Sequence, residues 1–449
     1  MDLSLLALLF LCLSRQGLTD PTAAPPETTP SVPEPTTPSP KPEDSLEEKE
    51  EEGGCPAHLL GAEAKRVVGG AILKLGLQLL ENLKTSSEQP NVVVSPLSVS
   101  LALSQLALGA ANETEQLLLQ SLNADSLPFY HQCLRSLLQH LRSSAIKVAT
   151  RIYLSPGFRA KKDFIQESLR MYESEPVPLA GVEEVNQWVE KATDGLITDF
   201  LSSLPADVVI MLINAVHFKG EWIARFDPSL TAKDRFYIDN KNMIYVDMMQ
   251  EPKYPLSLLM DSELGAQVAR FPFKDNTSLL VVMPLSGEVN VSDIVTKLNI
   301  SEVYAHLPSE RTMHVKLPKF KLEYSQELEE ALTAMGLGQL FTSPNLSRIA
   351  DGLLVVSSVR HKSSLELHEE GAEAAAATTV VISRSIPSFS VNQPFFFALL
   401  DDVSQTPIFL GVITNPDPGA TAMQSDAPEK MGYVDHKGLD IPMSSIDPK

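Results

Sequence analysis

What this chain lacks narrows its chemistry first. It has three cysteines and two tryptophans in 449 residues. It has no Gly-x-Ser-x-Gly elbow, no glycine-rich phosphate cradle and no Cys-x-x-Cys. It has no His-Glu-x-x-His either, because His368-Glu369 runs on into Glu370-Gly371. The nine histidines, at 58, 131, 140, 217, 306, 314, 361, 368 and 436, include no pair with metal-ligand spacing and context. These gaps leave no signature for a hydrolase, a nucleotide enzyme or a zinc site, so no enzyme activity, metal or cofactor is expected. Positive charge is scarce too: 36 basic against 57 acidic side chains give a net charge of −21. Such a chain would repel nucleic acid, heparin or an anionic membrane surface.

Long apolar runs are absent as well. The longest stretch near the start, LSLLALLFLCL at residues 3–13, has eleven residues. That is too short to span a bilayer and suits the apolar part of a secretory leader, with Ser14 and Gly17 as rival cleavage points. Five Asn-x-Ser/Thr acceptors, Asn112, Asn276, Asn290, Asn299 and Asn345, fit glycosylated export, and no other segment reads as a membrane span. Removal of the leader takes Cys12 with it. Cys55 and Cys133 then either form one disulfide or stay as two free, buried thiols.

Composition divides the rest. Residues 20–52 carry ten acids, two lysines and nine prolines with almost no branched apolar residues, which predicts a disordered tail. The expected organisation is a leader at 1–14 (its end between 14 and 17), an acidic tail at 15–55, a folded domain at 56–416 and a flexible extension at 417–449. Helical spacing begins near Val67 with AILKLGLQLLENL. A second helix is expected in PLSVSLALSQLALGA, from Pro96 behind the cap Ser95. Short β-rich runs follow at 208–218, 278–285, 313–322 and 353–359. Helices and strands come in blocks, which favours α+β over a doubly wound sheet.

One segment stands apart. LELHEEGAEAAAATTVVISRSIPSF (365–389) contains an alanine run that passes into β-branched residues and lacks a helical apolar stripe. Alternation places Ala372, Ala374, Ala376 and Thr378 on one face, opposite Glu373, Ala375, Ala377 and Thr379. Small residues there could slide between two strands, with Gly371 as pivot.

On EEGAEAAAATT, NVVVSPLSVSLALSQLALGA, LINAVHFKGEWIARFDP, LPKFKLEYSQELEEALTAMGLGQLF and FSVNQPFFFALL with FLGVITNP, in that order, the chain resembles the serpins from about Val67 to Pro416. SSLELHEEGAEAAAATT with ISR, NQWVEKATDG (186–195), the two cysteines and a tail ending in lysine bring it nearest to the plasmin-inhibiting branch.

The resemblance implies a five-stranded central sheet, about nine helices and an exposed reactive-centre loop. It implies a secreted plasma monomer that traps plasmin or a related trypsin-like protease as a covalent acyl complex and so restrains fibrinolysis. The competing expectation is a non-inhibitory serpin acting as a carrier or matrix-binding signal. Bulky or proline-bearing hinge residues would favour that alternative, and alanines stand there instead.

A trypsin-like pocket needs a basic bait. Arg384 is the one Lys or Arg between Lys362 and Lys430, which makes Arg384-Ser385 the expected reactive bond and Glu370 to Thr378 the hinge. Arg384 lies 13 positions after Gly371, one fewer than the usual inhibitory spacing, which would place Ser385 before the cut. The family pattern also implies two control sites for sheet opening. Ser95, Ser98, Asn186 and His361 would lie beneath the sheet, and Trp222, Lys319 and Glu369 at its top. Lys449, with Lys437 and Lys430, would meet plasmin or plasminogen kringles, and Gln16 would be a transglutaminase acceptor toward fibrin. Helix 127–141, whose one fixed positive charge is Arg135, gives no reason to expect heparin activation.

Overall fold

The computed structural model of the protein describes residues 62–86, 88–141, 145–285, 291–370 and 386–425. In chain order the first third holds α1 (Ala62–Asn82), β1 (Val92–Val94), α2 (Pro96–Gly109), α3 (Glu113–Ser121), α4 (Tyr130–Leu141) and β2 (Ile146–Leu154). Then come α5 (Lys162–Tyr172), β3 (Val177–Pro178), α6 (Val182–Ala192), β4 (Ile210–Phe218), β5 (Ala232–Tyr237), β6 (Asn242–Asp261), β7 (Ala266–Pro272) and β8 (Thr277–Pro284). The remainder is α7 (Val291–Val295), α8 (Ile300–His306), β9 (Arg311–Pro318), β10 (Phe320–Glu327), α9 (Glu329–Leu332), β11 (Val356–Leu367), β12 (Ser388–Ser390), β13 (Phe395–Asp401), β14 (Pro407–Ile413) and β15 (Met423–Gln424).

Five strands form one sheet in the order β10-β11-β4-β2-β3. The other ten form a second, β1-β14-β13-β8-β7-β6-β9-β12, with β5 and β15 also on β6. The first sheet is sandwiched. One face, with Ile152, Leu212 and Val359, joins a core with Leu97, Leu103 and Leu106 of α2. The other, with Tyr153, Met211 and Ile213, packs on Val185 and Val189 of α6. Burial on both faces explains why all nine residues of β4 are buried and why its sequence is an almost unbroken apolar run.

Helix α2 starts as its sequence dictates. Ser95 is extended, its side chain accepts from the N–H of Ser98, and Pro96 fills the first turn, where its missing N–H costs nothing. All but one of its fourteen residues are buried, the polar Ser98, Ser100, Ser104 and Gln105 among them.

Two strand expectations are corrected. Residues 313–322 are two strands in two sheets, because the ladder of β9 ends at Pro318 and Lys319 turns the chain, its N–H donating to Asp247 O at 2.8 Å. The strand expected at 353–359 starts at Val356 and runs on to Leu367 through Ser358, His361, Ser363 and Ser364, polar residues buried in the sheet. Nor does the chain leave the domain at once after Pro416: β15 pairs antiparallel with the start of β6, Met423 opposite Met243.

Candidate functional site

The expected hinge and bait residues Gly371 to Thr378, Arg384 and Ser385 lie outside the described residues, but both anchors of that segment are placed. Upstream, β11 runs into His368, Glu369 and Glu370. Downstream, the chain resumes at the exposed Ile386 and enters β12, which pairs parallel with β9 in the other sheet. The segment therefore bridges two sheets.

Its upstream strand lies in a parallel ladder. β11 and β4 pair from Val356 opposite Ile210 to Leu365 opposite Phe218, with one irregularity near Val356. A chain that turned back after β11 and entered this seam would run antiparallel to both neighbours. One parallel ladder would become two antiparallel ones, the more stable kind per residue.

Beneath the seam lies a buried polar cluster. His361 is wholly buried; its Nε2 accepts the N–H of Ser95 at 3.2 Å, and Ser363 Oγ lies 2.7 Å away. Because a backbone N–H can only donate, Nε2 carries no proton and the neutral ring holds it at Nδ1. Burial pushes the His361 imidazole down to about 3. Ser98 joins through its own turn, Oγ to Ser95 O at 3.1 Å.

Asn186 does not belong to this cluster. It sits on α6, donating to Leu201 O at 2.9 Å and accepting from Leu201 N at 2.8 Å, so its amide is used up clasping the chain beyond the helix. The amide at the seam is Asn214 of β4, in register with His361 and accepting from Thr150 Oγ1 at 3.3 Å. Asn214 Nδ2 and His361 Nδ1 are both buried without a hydrogen-bond partner. A lone amide within VVIMLINAVHF was the signal that could have found it. Higher up, His217 Nδ1 lies 3.0 Å from Ser364 Oγ across the same seam, a polar pair sequence reasoning missed. Burial lowers the His217 imidazole as well.

The top of the seam is charged. Lys319 Nζ donates to Glu369 Oε2 at 2.9 Å, and Thr231 Oγ1 to Glu369 Oε1 at 2.8 Å. Burial alone would raise the Glu369 carboxyl, but the bonds from Lys319 and Thr231 hold it below the usual value. Trp222 is fully buried, stacked on Phe273 at 4.1 Å. Its Nε1 donates to His368 O at 2.6 Å, its backbone N–H to Glu370 O at 3.1 Å, and the N–H of Phe226 to Glu369 O at 3.2 Å. The chain is thus pinned where it leaves β11.

Elsewhere, Cys133 is buried on α4 and disulfide-bonded, and Cys55 lies outside the described residues. Asn112, Asn276 and Asn299 are exposed and Asn345 half-buried. Asn290, Gln16, Lys430, Lys437 and Lys449 lie outside the described residues. Among the described residues no cluster could hold a metal ion, and no helix is long and apolar enough to cross a membrane.

A strand β11 that borders a parallel seam, is pinned at its end and is succeeded in the chain by a strand of a second sheet defines a class of protein. The family model described as serpin (serine protease inhibitor) matches residues 71–416, and the chain belongs to that family. Among its relatives, alpha-2-antiplasmin of Bos taurus is 43% identical over 396 residues, covering 86% of this chain and 80% of its own. Alpha-2-antiplasmin of Mus musculus is 42% identical over 377 residues, covering 82% and 77%. The solved structure of mouse protein-Z dependent protease inhibitor aligns with a TM-score of 0.71 at 26% identity, over 79% of this chain and 98% of that one. Human thyroxine-binding globulin aligns equally well at 23% identity, a likeness of fold alone. The α+β architecture, with its five-stranded sheet and nine helices among the described residues, is the serpin fold expected from the sequence.

Proposed function

We propose that this serpin is a secreted inhibitor of plasmin and related trypsin-like proteases, with Arg384 as bait. Plasmin attacks the Arg384-Ser385 bond. Once the acyl-enzyme forms and the bond is cut, the freed segment from Ala372 enters the seam between β11 and β4 and carries the bound protease with it, distorting its catalytic groups. The observation that carries this reading is the parallel, adjacent placement of β4 and β11 directly upstream of an alanine-rich segment. About a dozen added backbone hydrogen bonds at a net of roughly 0.5–1.5 kcal/mol each supply on the order of 10 kcal/mol, enough to make the step irreversible in practice. The likeness to two alpha-2-antiplasmins supports plasmin as the target and fibrinolysis as the process restrained.

In this reading the protein is a plasma glycoprotein, with glycans on the five acceptors. The half-cystine at Cys133 supports a Cys55–Cys133 bridge that ties the acidic tail to α4. Lys449, Lys437 and Lys430 raise the local protease concentration by docking on kringles, and Gln16 is a point of attachment to fibrin.

The test mixes the protein with plasmin, and separately with trypsin, and looks for a detergent-resistant covalent complex. Cleavage at the loop with no complex defeats the inhibitor reading. An Arg384→Glu variant that still traps plasmin defeats the assigned bait.

A further inference from the structure

On the ten-stranded sheet, a cleft of about 640 Å³ opens where the C-terminal end of α1, the turn between β5 and β6, α7 and strands β1 and β14 converge. That volume lies in the range of small-molecule sites, roughly 300–1,000 Å³. Leu80, Leu83, Val92, Ile238 and Val412 supply apolar walls. The charged residues on the lining are all acidic, Glu81, Asp239 and Asp293, with no lysine, arginine or histidine beside them. Asp239 is committed to its own turn, accepting from the N–H of Lys241 at 2.7 Å and of Asn242 at 2.8 Å. Glu81 and Asp293 have no ion-pair partner among the described residues.

Gln393 stands in the same lining and is only 6% exposed. Its Nε2 donates to Pro284 O at 2.7 Å. A carbonyl oxygen can only accept, so the orientation of the amide is fixed and Oε1 is its free end. Among the described residues no donor meets that oxygen. A buried acceptor without a donor, in a cleft whose charges are all negative, suits a ligand that brings both N–H groups and positive charge. An anion would be repelled by Glu81 and Asp293, and a purely apolar molecule would leave Oε1 unpaired.

We propose that this cleft binds a small organic cation with an apolar body, an aryl-alkyl ammonium. Its N–H groups donate to Gln393 Oε1, its charge is balanced by Glu81 and Asp293, and its body lies along Leu83, Ile238 and Val412. The site uses no residue of the bait segment or the seam, so it stands or falls apart from the inhibitor reading.

Three probes share a naphthyl body: 1-naphthylmethylammonium, the neutral 1-naphthalenemethanol and the anionic 1-naphthylacetate. Titrated calorimetrically into the full chain, the ammonium should saturate a single site and bind about tenfold or more tighter than the alcohol, and the carboxylate should not saturate. Glu81→Gln with Asp293→Asn, both at exposed positions, should erase the advantage over the alcohol. Glu183→Gln with Glu190→Gln, the same change of charge on exposed positions of α6 outside the cleft, should leave it intact. Gln393→Leu should weaken the ammonium and spare the alcohol. Leu83→Trp, which fills the cleft without touching charge, should abolish binding of both and answers the question if Gln393→Leu proves poorly folded. Equal affinity for ammonium and alcohol, or an unaffected Glu81/Asp293, Gln393 or Leu83 variant, overturns the proposal. So does an equal loss in the α6 pair, which would assign the preference to the diffuse field of a chain with a net charge of −21.

Discussion

The middle and the top of the β4–β11 seam are built on opposite principles. At the middle, a neutral histidine is buried completely, with one ring nitrogen bonded to Ser95 and the other left without a partner. At the top, Glu369 and Lys319 form a charged pair backed by Thr231, and Lys319 stays half-exposed. The buried cluster leaves polar groups unsatisfied and so stores part of what opening the seam would relieve. The pinned top holds the point where the chain leaves β11. In the proposed mechanism the seam opens once, and a weakened ladder with a latch at its entrance suits that step.

The largest expected effect breaks the comparison altogether. Cleavage beside Arg384 in the free protein should raise the melting temperature by about 10 °C or more, because insertion replaces the latched seam with a six-stranded sheet. A calorimetric scan before and after limited proteolysis checks this, and an unchanged transition removes the premise of a strained sheet. Next comes His361→Ala, which strips a partner from Ser95 N–H and Ser363 and leaves a cavity. A loss of about 2–4 kcal/mol is expected in denaturant unfolding.

Acid separates the two regions. The His361 imidazole is depressed from 6.5 to about 3, so the unfolded chain takes up its proton first. Its contribution is whole above about pH 6.5 and drains away as pH falls toward 3, at up to about 1.4 kcal/mol per pH unit. Glu369 is also depressed, but from the carboxylate value of 4.5, so its contribution persists down to about that pH and is lost below it. Between pH 6.5 and 4.5 the buried imidazoles of the seam, His361 with His217 and His368, weaken it while the Glu369–Lys319 pair does not. His361→Gln should reduce the slope of the stability profile in that window, the buried His131, His217 and His368 keeping the rest, and Glu369→Gln should leave it unchanged, as read from urea midpoints across pH. Smaller still, Lys319→Ala should cost about 1 kcal/mol, since half the pair faces water. Asn186→Ala should cost about as much by freeing Leu201, with no change in the rate of protease trapping; a slowed rate would return Asn186 to the gate.

Much of this was legible in local chemistry. Ser95 followed by Pro96 announces a capped helix wherever it stands, and an apolar run like 210–218 announces a strand buried on both faces. The charged pair was reachable only through family likeness, since Lys319 and Glu369 stand 50 positions apart and touch because β10 pairs with β11. Asn186 and Asn214 show the limit. Asn186 stands beside a second amide, Gln187, in an amphipathic helix and Asn214 stands alone in an apolar strand, and nothing local to either says which faces His361.

By itself, then, the sequence determined the class of fold, the capped start of α2 and the apolar strands, because each follows from contacts within a few residues or from composition. Tertiary structure alone decided that β11 continues through its serines, that residue 319 turns between two sheets, and that Asn214 meets His361. Those outcomes depend on register between strands distant in the chain, and register is set by the hydrophobic pattern of each strand and by the geometry of its connections.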